Sequence, residues 1–97
     1  MSCIEDLPHE VLRSNISFKE SREIIEQGYP LVYHINPGFK LLGNPLIGTT
    51  PIAIGIDGES IIFAYTKPCH GTFILKITDA DEVSRLSRNG RLRKLER

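Results

Sequence analysis

Pro51 to Ile77 reads PIAIGIDGESIIFAYTKPCHGTFILKI, and this stretch decides the fold. Two apolar, branched runs flank Asp57-Gly58, which predicts a two-residue hairpin with a type I′ turn. That turn sets Ile56 opposite Glu59, Ile54 opposite Ile61 and Ile52 opposite Phe63, all on one core face. The other face carries Ala53, Gly55, Ser60, Ile62 and Ala64. Most of these are small, so a helix or a ligand can approach the backbone closely there. Lys67 to Gly71 makes the next connection, and Thr72 to Ile77 reads as a further core strand.

Working outward toward the N-terminus, residues 4–14 read as a short helix. Asp6 is the expected N-cap, with Ile4, Leu7, Val11 and Leu12 near helical spacing. Ser17 opens a second helix, because Ser17-x-x-Glu20 has the form of a capping box. Phe18, Ile24 and Ile25 are its expected buried stripe, and Gly28 its left-handed cap. Leu31 to Ile35 is rich in strand formers. Asn36-Pro37-Gly38 is a turn, and Phe39 to Leu42 is expected to pair back across it. Gly43 to Pro51 reads as an irregular crossing or a short edge strand.

Toward the C-terminus, Thr78 or Asp79 caps a helix whose early acids complement its dipole. Val83 and Leu86 of that helix face the sheet. The expected architecture is α+β and two-layered. An antiparallel sheet of four to five strands carries two N-terminal helices and one C-terminal helix, packed mainly on one face. Residues 1–90 form one domain, and 91–97 a basic tail that is frayed or weakly helical.

Ninety-seven residues suffice for one domain with one core. Hydrophobic residues at 40% and charged residues at 25% exclude the disordered class. The formal net charge of zero supplies no global field toward nucleic acid or membranes. No apolar run has transmembrane length, and the acidic start MSCIEDLPHE lacks the pattern of a signal peptide. The expectation is therefore a cytoplasmic chain in which Cys3 and Cys69 are reduced thiols.

The loop Lys67-Pro68-Cys69-His70-Gly71 is the first candidate for chemistry. A Lys or a protonated His beside Cys69 favours the thiolate, the reactive and metal-binding form. The simpler reading has Pro68 and Gly71 shaping a turn, Cys69 as a small buried hydrophobe and His70 solvated. Neighbours in an extended chain point to opposite sides, and no third orienting group is identifiable, so a Cys-His catalytic unit is not supported. Cys3, His9, His34, Cys69 and His70 are the soft ligands, but no spacing among them demands a metal. Neither metal nor cofactor is expected, since the glycines fit no phosphate-binding pattern.

The basic end is the second candidate. Arg85, Arg88, Arg91, Arg93, Lys94 and Arg97 crowd the last thirteen residues, with Glu96 the single acid among them after Arg85. Arg91 and Arg93 could anchor an acidic partner, RNA or an anionic cofactor. Solvation and dipole complementarity at a helix end account for the same charges. The zero net charge and the lack of interleaved aromatics weigh against nucleic acid.

Ser17-Phe18-Lys19-Glu20, Pro37-Gly38-Phe39-Lys40, Gly55-Ile56-Asp57-Gly58 and Tyr65-Thr66-Lys67-Pro68-Cys69-His70-Gly71-Thr72-Phe73 together resemble a small family of uncharacterised proteins from methanogenic archaea. These are short chains made of this domain alone, and the resemblance spans the chain up to the basic tail. It implies a cytoplasmic α+β protein associated with methanogenesis, and it supplies no catalytic residues. The leading expectation is a non-enzymatic accessory protein that binds a protein partner through candidates among Lys67, Cys69, His70, Arg91 and Arg93. A small thiol-dependent enzyme or cofactor handler using Cys69 and a nucleic-acid accessory factor using the basic end are the alternatives. The oligomeric state is left open.

Overall fold

Strand pairing around the central hairpin organises the molecule. The computed structural model describes residues 8–29, 31–33, 35, 39–45, 48–88 and 92–94. In chain order the elements are β1 (Glu10–Ile16), α1 (Phe18–Gly28), β2 (Leu31–Tyr33), β3 (Lys40–Leu41), β4 (Asn44–Pro45), β5 (Thr50–Asp57), β6 (Ser60–Lys67), β7 (Gly71–Thr78), α2 (Ala80–Arg88) and β8 (Leu92–Lys94). The α+β class and the antiparallel sheet are as expected. The main sheet runs β1-β7-β6-β5-β2, and the three-residue β8 adds at its outer edge against β2.

The β5–β6 hairpin forms, but its turn pivots one residue later than expected. Asp57 pairs with Ser60, Ile56 with Ile61 and Ile54 with Phe63. Gly58 has φ +61°, and Glu59 is not among the positive-φ residues. That is the φ signature of a type II′ turn, with glycine first, rather than the I′ turn that Asp-Gly predicts. A bulge at Ile52 shifts the pairing again, so Pro51 meets Tyr65. Ile54, Ile56, Ile61 and Phe63 keep the expected core face, buried together, but Ile52 leaves it and packs with the cluster on the opposite face.

The sheet is covered on both faces, not mainly on one. Ile54, Ile56, Ile61, Phe63, Tyr65, Leu75 and Ile77 pack with Leu41 and with Leu86 of α2. Ala53, Ile62, Ala64 and Ile74 pack with Ile25 of α1. Consecutive strand residues point to opposite faces, so Ile61 and Ile62 place the two helices on opposite sides. α1 sits close because Gly55 has no side chain. A Cβ there would lie 3.1 Å from Tyr29 Cβ and Cγ and 3.2 Å from Ile25 Cγ2. The small face is thus a helix seat.

The expected first helix is overturned. Residues 10–16 form β1, paired antiparallel with β7, so two helices, not three, occur among the described residues. The apolar spacing there fits a helix only because bulges disrupt the strand's alternation. Register shifts fall between Val11 and Arg13 and between Ser14 and Ile16, and Asn15 takes φ +56°. Bulges of this kind twist an edge strand and discourage edge-to-edge pairing. Residues 1–7, including the expected cap Asp6, lie outside the described residues.

Ser17 caps α1 as expected, its Oγ accepting the Glu20 N–H at 3.0 Å. Gly28 is not a left-handed cap, because the helix leaves through Tyr29 in extended conformation. Phe18 is 52% exposed instead of buried. Ser21 takes the buried place on that face, and its hydroxyl donates to the Phe18 carbonyl at 2.7 Å. The other face carries the pairs Arg22–Glu26 and Lys19–Glu23.

β3 does not pair back on β2. It forms a small hairpin with β4, while β2 takes β5 and β8 as neighbours. Leu42 and Gly43 both have positive φ at its turn, 54° and 77°. The expected turn at 36–38 and the expected helix stop at Asn89-Gly90 lie outside the described residues. The tail segment read as frayed or weakly helical supplies β8 at Leu92–Lys94.

Candidate functional site

The β6–β7 hairpin carries the Lys67–Gly71 loop. Its two ends are fastened by hydroxyl pairs, Ser60 Oγ to Thr78 Oγ1 at 3.2 Å and Thr66 Oγ1 to Thr72 Oγ1 at 2.9 Å. Lys67 pairs with Gly71 across the loop. The His70 N–H donates to the Lys67 carbonyl at 3.0 Å, closing a four-residue turn. Pro68 presets the first central φ, and Cys69 occupies the second with φ +66°, the pattern of a type II turn. Glycine or asparagine normally fills that second position.

This turn separates the three residues singled out in the sequence. Cys69 stands exposed at the tip. Lys67 and His70 turn instead to a cleft of about 240 Å³ on the α2 side of the sheet. Its wall comprises His9, Val11, Tyr65, Lys67, His70, Phe73 and Leu75. The floor is apolar. Tyr65 and Leu75 are buried, and Tyr65 stacks on Phe63 at 5.4 Å and on Phe73 at 5.6 Å. Phe73 is half-buried, and Val11 of β1 is 53% exposed at the rim.

Period-2 alternation explains the assembly. Phe63, Tyr65 and Lys67 point to one face of β6, and Phe73, Leu75 and Ile77 to the same face of β7. Val11 pairs with Leu75 and brings β1 to that face, with His9 just before it. α2 covers the Ile61–Ile77 end of the face and leaves the Tyr65–Phe73 end open. Sequence reasoning named His9 only as a soft ligand and missed Val11, Tyr65 and Phe73, because a helix over 4–14 hid the β1–β7 pairing. The available signal was the alternation F-A-Y-T-K in β6, which puts Lys67 beside aromatic residues.

The basic end does not join this cleft. β8 lies beyond β2, three strands from β6. Arg93 pairs with Val32 at the level of Gly55 and Ile62, far along β6 from Lys67. Arg91 lies outside the described residues, as do Cys3 and His34 among the soft ligands. Among the described residues no cluster of three or more His, Cys, Asp or Glu is placed to hold a metal ion.

An ion pair on the same face, with a buried carboxylate and a partly exposed guanidinium, was also missed. Asp79 caps α2, its Oδ1 accepting the Glu82 N–H at 2.9 Å. The Glu82 carboxylate does not reach back to the cap. It is 5% exposed and accepts the Leu42 N–H at 2.5 Å, with two donors from Arg85. Arg85 Nη2 also donates to the Lys40 carbonyl at 3.1 Å. Burial pushes the Glu82 pKa up. The Arg85 hydrogen bond and charge and the Leu42 N–H outweigh it and hold the carboxyl below its ordinary value. This clasp fixes β3–β4 against α2 and is structural.

Comparison with known proteins gives a family without an assigned role. A family described as a domain of unknown function (DUF1894) matches residues 1–87. The chain is 38% identical over 86 residues to "Uncharacterized protein MJ0453" of Methanocaldococcus jannaschii, covering 88% of this chain and 78% of that protein. No solved structure matches. The matched segment contains every residue of the cleft. No helix among the described residues is long and apolar enough to cross a membrane.

Proposed function

The chain belongs to the DUF1894 family, and from that premise we propose that it is a non-catalytic accessory domain that docks a protein partner at the cleft. The supporting observation is the makeup of the cleft wall. Lys67, His9 and His70 provide donors above an apolar floor of Tyr65, Phe73 and Leu75. Binding pockets combine an apolar lining with a few convergent polar groups. Among the described residues no Ser, Thr, Cys, Asp or Glu lines the wall. Cys69 faces away from it at the turn tip, so a thiol reaction would lack groups assembled around it. A relative in a methanogen supports placing this role in methanogen metabolism; a cytoplasmic location is part of the proposal.

The test is affinity capture from extract of the host, with the wild type, Lys67→Glu and the control Arg88→Glu on α2. The wild type and Arg88→Glu should retain a common protein whose retention falls as salt rises, and Lys67→Glu should lose it. Equal retention by all three variants would place docking elsewhere.

A further inference from the structure

We infer that the outer edge of β2 is an interface between copies of this chain, at which two copies exchange their β8 segments, each β8 pairing with the β2 of the other copy. The sheet built from the family-matched residues 1–87 ends at β2 on that side. β8 is added beyond it, antiparallel, with Leu92 at the register of Tyr33, Arg93 at Val32 and Lys94 at Leu31. Among the described residues β8 pairs with no other strand. None of the cleft residues takes part, so the exchange stands apart from the docking reading.

The two sides of the sheet are built differently. β1 carries two register shifts and the charged Glu10 and Arg13, features that discourage pairing with another chain. β2 reads Leu31-Val32-Tyr33 and runs in unbroken register with β5, with no charge, proline or bulge within it. Val32 is buried toward α1, and Tyr33 on the opposite face with Leu41. Within β2, only its shortness limits what pairs there. Its outer N–H and C=O groups call for a further strand, and β8 supplies one.

A ladder of three residue pairs makes few hydrogen bonds, and ordering three residues costs free energy of similar size. β8 therefore leaves and rejoins the edge without the rest of the sheet opening. The same segment of a second copy fits the vacated edge equally well, because it makes the same three pairs. Only residues 89–91 link α2 to β8, and a short hinge favours exchange over closure within one chain. Reciprocal exchange closes a twofold dimer with both β2 edges filled. The cleft lies across β1, β7 and β6, on the other side of the sheet from β2, so the dimer carries two clefts.

Size-exclusion chromatography with light scattering on the full chain tests this, at concentrations up to about 1 mM, where association competes with a short tether. The wild type should divide between one-chain and two-chain species, the two-chain share rising with concentration. Leu92→Pro/Arg93→Pro should stay one-chain throughout, because consecutive prolines remove a ladder N–H whichever of the two faces β2. Inserting Gly-Gly-Ser after Gly90 lengthens the hinge and keeps β8 intact, and it should weaken association roughly tenfold or more. A one-chain mass for the wild type at every concentration overturns the inference. So does a proline variant that dimerises as strongly as the wild type, or a dimer indifferent to the longer hinge, since either places the contact elsewhere. If circular dichroism shows the proline variant unfolded, the hinge variant decides alone.

Discussion

The Glu82 carboxylate accepts the backbone N–H of Leu42 at 2.5 Å, bridging forty residues of sequence. The same carboxylate is held in a two-point contact by Arg85, whose second nitrogen also reaches the Lys40 carbonyl. One acid thus satisfies a turn amide and ties the β3–β4 hairpin to α2. Leu42 sits at φ 54°, a backbone region that costs a non-glycine residue energy, so the hairpin depends on outside support. Glu82→Ala removes that support and leaves Arg85 without its partner. Arg85 is 40% exposed, which lowers the penalty below that of a fully buried pair. The expected loss is about 1–3 kcal/mol in urea unfolding, with Glu82→Gln losing less.

The same pair sets a pH dependence. The Glu82 pKa is lower folded than its ordinary value of 4.5. The stability it contributes is therefore fully present above pH ~4.5 and is lost as pH falls through the folded value. The stability difference between wild type and Glu82→Gln should be constant from pH 6 to 8 and shrink on acidification below ~4.5. A difference that grew on acidification would mean that the carboxyl is raised, not lowered.

Gly55 carries the close seating of α1. A methyl there would meet Tyr29 and Ile25 at 3.1–3.2 Å, inside normal contact. Gly55→Ala should cost about 1–3 kcal/mol. Tyr29→Ala in the same chain should recover part of that loss, because the two side chains compete for one space. Full additivity of the two losses in a double-mutant cycle would show that the helix shifts instead.

Cys69 tests whether a chemical role holds that residue in place. It is exposed and has positive φ with no described packing partner. Cys69→Gly fits the turn better but frees the unfolded chain. The expected change in stability is within about 1 kcal/mol of wild type, with partner capture unchanged. Loss of capture on this substitution would move the function from the cleft to the thiol.

The β5–β6 hairpin and the Ser17 cap were legible because both are local. Asp57-Gly58 marks the turn, and Ser17 and Glu20 mark the helix start within four residues. The slip by one residue came from a choice between two glycine-containing turns that fit the same dipeptide. β1 was not legible: its bulges at Leu12 and Asn15 erase the alternation that identifies a strand, and pairing with β7 decides its conformation. The Glu82 clasp was hidden because helix-dipole chemistry already accounts for acids at the start of α2. Lys67 and His70, both singled out in the sequence, line the same cleft, whereas Cys69, singled out with them, does not. Only the positive φ of Cys69 shows that the turn throws the thiol outward while its neighbours face the cleft.

The central claim is that the Tyr65–Phe73 end of the sheet, with the cleft lined by Lys67 and the two histidines, docks a protein partner. A titration of ¹⁵N-labelled protein with the protein captured from host extract reads this directly, residue by residue. The account predicts amide shifts concentrated at Val11, Lys67, His70 and Phe73, abolished by Lys67→Gln and small around Phe18 on α1. Shifts centred on α1 or on β8, or a pattern unaffected by Lys67→Gln, would contradict it.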